Sequence, residues 1–202
     1  MRELSPPASD SDINGRIAHR VRTLRADQGM TLEALAAKSD VSRSMLSLVE
    51  RGESSPTAVV LEKIATGLGV ALASLFEDMS ALGSPVSRAA DRTPWRDPQS
   101  GYIRCNLSPL NYPSPIQLVA VTLPGGARVA YETGAREPNI HQQIWVREGQ
   151  IEVTVGAVTH RLAEEDCLAM QLTEPMAFRN PTRKEARYVV AIVADRAQKV
   201  RR

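Results

Sequence analysis

Apolar residues recur along the chain at two different periods, and the change of period divides it. From Ile13 to Asp78 the spacing is helical. Ile17, Val21 and Leu24 share one face of IAHRVRTLRADQG, and Gly29 stops that helix. In MTLEALAAKSDVSRSMLSLVERGESSPT, Leu32, Leu35 and Ala36 share a face of a second helix, and Leu46 and Val49 a face of a third. From Ile116 onward the period is two, in IQLVAVTL, ARVAYET, HQQIWVRE, QIEVTVG, VTHRL, CLAMQL, MAFRNP and ARYVVAIVA, with glycine or acidic turns between the runs. Short strands at this even spacing predict an antiparallel sandwich or barrel. Between the two patterns Pro85, Pro94, Pro98, Pro109, Pro113 and Pro115 break up polar or aromatic pieces, as in a linker grading into irregular lead-in strands. The first dozen residues, rich in Ser, Pro and Asp, read as a disordered arm. The predicted organisation is an arm over 1–12, an all-α domain over 13–78, a linker over 79–100 and an all-β domain over 101–196.

Composition adds boundaries to this picture. At 43% hydrophobic, 202 residues can bury two small cores. A net charge of +2 neither demands nor excludes nucleic acid. Cys105 and Cys167 are too few and too scattered for a disulfide framework, and read as reduced thiols. No apolar run follows MRELSPPASDSD, and none approaches the roughly 20 residues that span a bilayer. The expectation is a soluble cytoplasmic protein with no membrane partner.

The tight turn from Ser39 to Val41 joins the second and third helices, which predicts a helix-turn-helix with the third helix entering the major groove. Thr31 and Ser42 stand at the N-caps, where helix N–H groups meet phosphates. Arg43 can take guanine O6 and N7 in a bidentate pair, or a phosphate. Ser44 and Ser47 are small enough to let the helix approach the bases. Charge alone does not distinguish this from an ordinary bundle, because residues 12–78 carry eight basic and nine acidic side chains.

The motifs are more specific. MTLEALAAKSDVSRSMLSLVERGESSPTAVVLEKIATGLGV resembles the Cro-repressor-like (XRE) helix-turn-helix family. Leu46 to Pro56 matches that family's recognition helix and following turn, Leu61 to Val70 its fourth helix, and LASLFE its fifth. The resemblance implies a five-helix DNA-binding domain with Ser42, Arg43, Ser44, Ser47 and Leu48 at groove-facing positions. Leu48 is a departure from the polar residues common there; it is placed to touch a thymine methyl or to pack at the helix edge. Glu50 and Arg51 brace the turn at Gly52, and Arg51 is also within reach of a phosphate.

The C-terminal run resembles a cupin, an all-β double-stranded β-helix barrel. Gly149 in WVREG matches the glycine closing the first cupin motif, and LAEEDCLAMQLTEPMAFRNP matches the second. Metal-binding cupins carry a histidine pair and a glutamate in the first motif and a third histidine in the second. Here the glutamate position is Gln142, the pair falls near Arg136 and Pro138 or Ala135 and Glu137, and the third histidine is Met176. The "GD" turn reads Glu165-Asp166. His141 is one residue out of register, which in a strand means the other face. Of the other histidines, His19 belongs to the first helix and His160 to a different strand. No metal or other cofactor is therefore expected.

Gln142, at an interior position and able both to donate and to accept, is the leading pocket residue. Met176 offers an apolar wall, and Arg136 can pair with a carboxylate or phosphate on an effector. Tyr131, His141 and Phe178 are further candidates, with core or dimer-interface packing as their alternative. Trp145 alternates with Ile144 and Val146, so it shares a face with neither. These features predict a non-enzymatic regulator: a homodimer on a palindromic double-stranded operator, sensing an unknown small-molecule effector through a metal-free cupin. The alternatives are a metal-dependent cupin enzyme with a DNA-binding head, and a cupin used only for dimerisation.

Overall fold

The computed structural model of the protein describes residues 10–76, 83–132 and 139–195. Four α-helices come first: α1 (Asp10–Asp27), α2 (Leu32–Ser39), α3 (Arg43–Glu50) and α4 (Ala58–Gly67). The backbone of α1 begins at Asp10, within the stretch expected to be an arm. Hydroxyls cap three of the helices. Ala34 N–H donates to Thr31 Oγ1 at 3.1 Å, Met45 N–H to Ser42 Oγ at 3.2 Å, and Val60 N–H to Thr57 Oγ1 at 3.3 Å. Between α2 and α3 Asp40 turns the chain in the left-handed region at φ 52°, and its carboxylate takes Lys63 Nζ of α4 at 2.7 Å.

A fifth α-helix was expected at LASLFE, and the structure corrects this. Residues Leu72–Phe76 form a short 3-10 helix instead. Five residues support little more than one tight turn, and burial of Ala73, Leu75 and Phe76 decides their shape more than helix propensity does. Helices α2 and α4 cross with their backbones close together. A Cβ on Gly67 would stand 2.8 Å from the Cβ of Ser39, so only glycine fits there.

Among the described residues the β domain has ten strands: β1 (Trp95–Arg96), β2 (Ile103–Asn106), β3 (Ile116–Leu123), β4 (Arg128–Tyr131), β5 (Asn139–Glu148), β6 (Ile151–Val155), β7 (Val158–Leu162), β8 (Cys167–Gln171), β9 (Met176–Arg179) and β10 (Ala186–Asp195). They form a six-stranded sheet ordered β1-β2-β3-β10-β5-β8 and a four-stranded sheet ordered β4-β9-β6-β7, with every pair antiparallel. From β3 onward this is the eight-strand double Greek key of a jelly roll, the architecture cupins share. The barrel is not closed, contrary to expectation. Among the described residues no ladder joins the two sheets; side chains packed between their inner faces hold them instead, including Ile144, Val146, Val153 and Phe178. Gly149, at φ +80°, makes the turn after β5.

The proline-rich segment between the domains is packed against both of them. Trp95 of β1 is 2% exposed, with Phe76 of the helical domain 5.7 Å away and Tyr102 6.3 Å away, ring centroid to ring centroid, both edge-on. Asp97, also buried, accepts from the Ala58 N–H of α4 at 2.9 Å and from the Ser100 N–H at 2.7 Å. A carboxylate from the β domain thus caps a helix of the α domain, where the helix dipole favours negative charge. Asp97→Ala leaves the buried Ala58 N–H without an acceptor and is expected to cost about 2 kcal/mol of stability. Urea denaturation followed by circular dichroism measures it; an unchanged midpoint would mean that the cap contributes nothing.

Candidate functional site

Helix α3 is anchored by one face and bare on the other. Leu46, Val49 and Glu50 are buried. Arg25 of α1 holds the Glu50 carboxylate in a two-pronged pair, Nε to Oε1 at 2.6 Å and Nη2 to Oε2 at 2.8 Å, and donates its third arm to the Met30 carbonyl at 2.8 Å. Arg22 adds a hydrogen bond to the Glu50 carbonyl at 2.5 Å. This fork fixes the rotation of α3 about its axis, and with it the residues α3 presents. Ser42, Arg43 and Ser44 are exposed, while Ser47 and Leu48 are half-buried. Arg43 pairs with Glu33 of α2 across open solvent, and both side chains are 64% exposed. The Glu33 backbone N–H, followed by Arg43, holds that carboxyl below the usual carboxylate range. Exposed pairs of this kind are weak, so Arg43 is readily released to another acceptor. Arg51 bonds to Ser47 and, at 2.7 Å, to Glu53. Thr31, a further candidate for a phosphate contact, caps α2.

The second candidate site lies inside the jelly roll. Gln142, Met176, Tyr131 and Phe178 line one cavity of about 50 Å³. His141 does not; it is exposed on the outer face of β5, as the alternation along the strand requires. Trp145 shares that outer face, while Ile144 and Val146 are buried within. Arg136 lies outside the described residues. Sequence reasoning missed Arg104 of β2, Tyr102 just before that strand, Tyr188 of β10 and Glu62 of α4, all in the same cavity wall. Ala71 and Leu72 also line it, so the helical domain closes one end of the cavity.

A helix-turn-helix family model (HTH_3) matches residues 21–75, which contain α2, the turn, α3 and α4. Control protein C.MunI of a Mycoplasma species is 36% identical over 70 residues, 34% of this chain and 95% of its own. HTH-type transcriptional regulator SutR of Escherichia coli (strain K12) is 29% identical over 135 residues, 67% of this chain and 70% of its own. The chain belongs to the helix-turn-helix transcriptional regulators. The crystal structure of an HTH_3 family regulator from Vibrio cholerae matches 93% of this chain and 100% of its own, with a TM-score of 0.73 and 25% identity. A match of that extent takes in both domains of this helix-turn-helix regulator.

The cavity of the regulator does not suit the metal of metal-binding cupins. Gln142 supplies an amide and Met176 a thioether where such proteins use carboxylate and imidazole, and the cation of Arg104 lines the same space. Glu62 is a carboxylate there, but it comes from α4 and not from the strands of the roll. Among the described residues no cluster of three or more His, Cys, Asp or Glu is placed to hold a metal ion, and no helix is long and apolar enough to cross a membrane.

Proposed function

We propose that this regulator is a cytoplasmic, non-enzymatic homodimer that reads a palindromic operator with α3, and whose jelly roll holds a small-molecule effector without a metal. The observation that carries the DNA-reading part is the Arg25–Glu50 fork, which turns the Arg43, Ser44 and Ser47 side of α3 to solvent. In this reading Arg43 contacts a base edge, Ser44 and Ser47 allow close approach, Leu48 packs beside a thymine methyl, and Thr31, Ser42 and Arg51 face phosphates.

The outer face of the six-stranded sheet supports dimerisation. Strand register places Ile116, Val193 and His141 in one row, Leu118, Ala191, Gln143 and Ala169 in the next, and Ala120, Val189, Trp145 and Cys167 in a third. A solvated sheet face is ordinarily polar, yet Ile116 is 48%, Leu118 39% and Trp145 38% exposed on this one. A second copy of the same face is the occupant that suits it, since a two-fold contact is self-complementary and pairs the two reading heads.

Two substitutions test these roles separately. Arg43→Ala is expected to weaken operator binding by about tenfold or more and to relax base preference at one position of each half-site, read by fluorescence anisotropy on a panel of operator variants. Unchanged affinity and preference would remove Arg43 from the interface. Leu118→Asp puts a charge in the middle row of the apolar face and is expected to give a folded monomer in sedimentation velocity; a persisting dimer would mean that the copies meet elsewhere.

A further inference from the structure

Arg104 is a buried guanidinium with part of its hydrogen-bonding capacity unmet. It is 5% exposed, and neither Nε nor Nη2 has a hydrogen-bond partner. Its guanidinium carbon lies 5.2 Å from the centroid of the Phe76 ring, a contact that satisfies the face of the group but not its N–H bonds. A guanidinium keeps its charge in proteins, so proton loss does not relieve the burial. A neutral side chain of the same size would be less costly at this position, and such groups are retained where an acceptor arrives from elsewhere.

Arg104 stands between two cavities. The inner one is the 50 Å³ space in the jelly roll, walled by Tyr131, Phe178, Tyr188 and Gln142. That volume holds about four waters, or a molecule of about four to six non-hydrogen atoms. The outer cavity, of about 170 Å³, lies under residues 84–93 and is lined by Arg16, Arg88 and Arg92, with Asp91 as its acidic member. A basic vestibule of this kind draws anions toward Arg104.

We propose that Arg104 anchors a small-molecule site in the jelly roll, binding the carboxylate of a compact monocarboxylic acid whose short apolar body fills the inner cavity. This rests on the effector-sensing role proposed above and names the class of effector. Two further features fit such a ligand. Burial pushes the hydroxyls of Tyr131 and Tyr188 well above the usual phenol range, so they line the cavity as neutral groups able to donate to an anion. Glu62, also in the wall and 6% exposed, adds a polar group from α4 to the same cavity. Because Glu62 belongs to α4 and Phe76 follows it in the helical domain, the bound acid would touch the seam through which the head is held.

The test is a thermal-shift and calorimetric titration of the full chain with acetate, propionate and butyrate, against propanol and propylammonium, at constant ionic strength. Propionate is expected to raise the melting temperature saturably in the wild type. Arg104→Met is expected to melt no lower than the wild type without ligand and to lose the shift. Arg104→Lys, which keeps the charge but not the fork, is expected to bind propionate about tenfold or more weakly. A propionate shift that survives Arg104→Met, an equal shift with propanol, or no binding by any carboxylate would overturn the proposal. A shift with propanol or propylammonium alone would leave the effector-sensing role standing while removing the carboxylate. Failure of all five probes and of a broad metabolite panel would remove both.

Discussion

A buried carboxylate joins the two halves of this protein. Asp97, in the turn that follows the first strand, accepts the leading N–H of α4 and the Ser100 N–H, so the first turn of a DNA-head helix is completed by the β domain. Trp95 packs against Phe76 and Tyr102 beside it. The head is therefore docked, not tethered. From α4 the packing continues through the Gly67–Ser39 crossing to α2, and from α2 across the Asp40 turn to α3, the helix proposed to read DNA. Displacing the seam means losing a buried hydrogen bond and edge-to-face aromatic contacts at once. A ligand beside it would act on α3 only to the extent that it bound one seam arrangement more tightly than another.

The near balance of charge in the head gives local geometry the deciding part in DNA binding. Eight basic against nine acidic residues over 12–78 produce no broad positive field. What the head offers instead is a rotationally fixed helix with capped N-termini and an arginine in a weak, exposed pair. A surface without a broad positive field adds little non-specific affinity, and in the dimer we propose two joined heads would supply the remainder through effective concentration.

The elements legible in the sequence were those set by local physics. Capping by Thr31 and Ser42, the apolar faces of α2 and α3, and the inward and outward parity of Gln142 and Trp145 all follow from spacing and side-chain chemistry, and the structure has them as spaced. The fifth helix was misjudged because LASLF is shaped by burial and not by its own propensity. Arg104 and Asp97 were not legible at all. Both are flanked by prolines, Asp97 in the stretch that reads as linker and Arg104 in the irregular lead-in strands after it, where a charged residue ordinarily faces water. Only the folded chain brings Phe76 over Arg104 and the start of α4 onto Asp97, contacts between residues far apart in sequence. The open edge of the sandwich was hidden for the same reason, since strand spacing does not reveal whether the last ladder closes.

Docked heads and tethered heads differ most plainly in what they demand of DNA. The direct measurement is selection from a random duplex library by the purified full chain, with the enriched sequences read out in full. A docked, dimeric head predicts inverted half-sites at a single fixed spacing of about one helical turn, roughly 10 base pairs centre to centre, or one multiple of it. Enrichment of half-sites at scattered spacings, or of no sequence at all, would contradict the account.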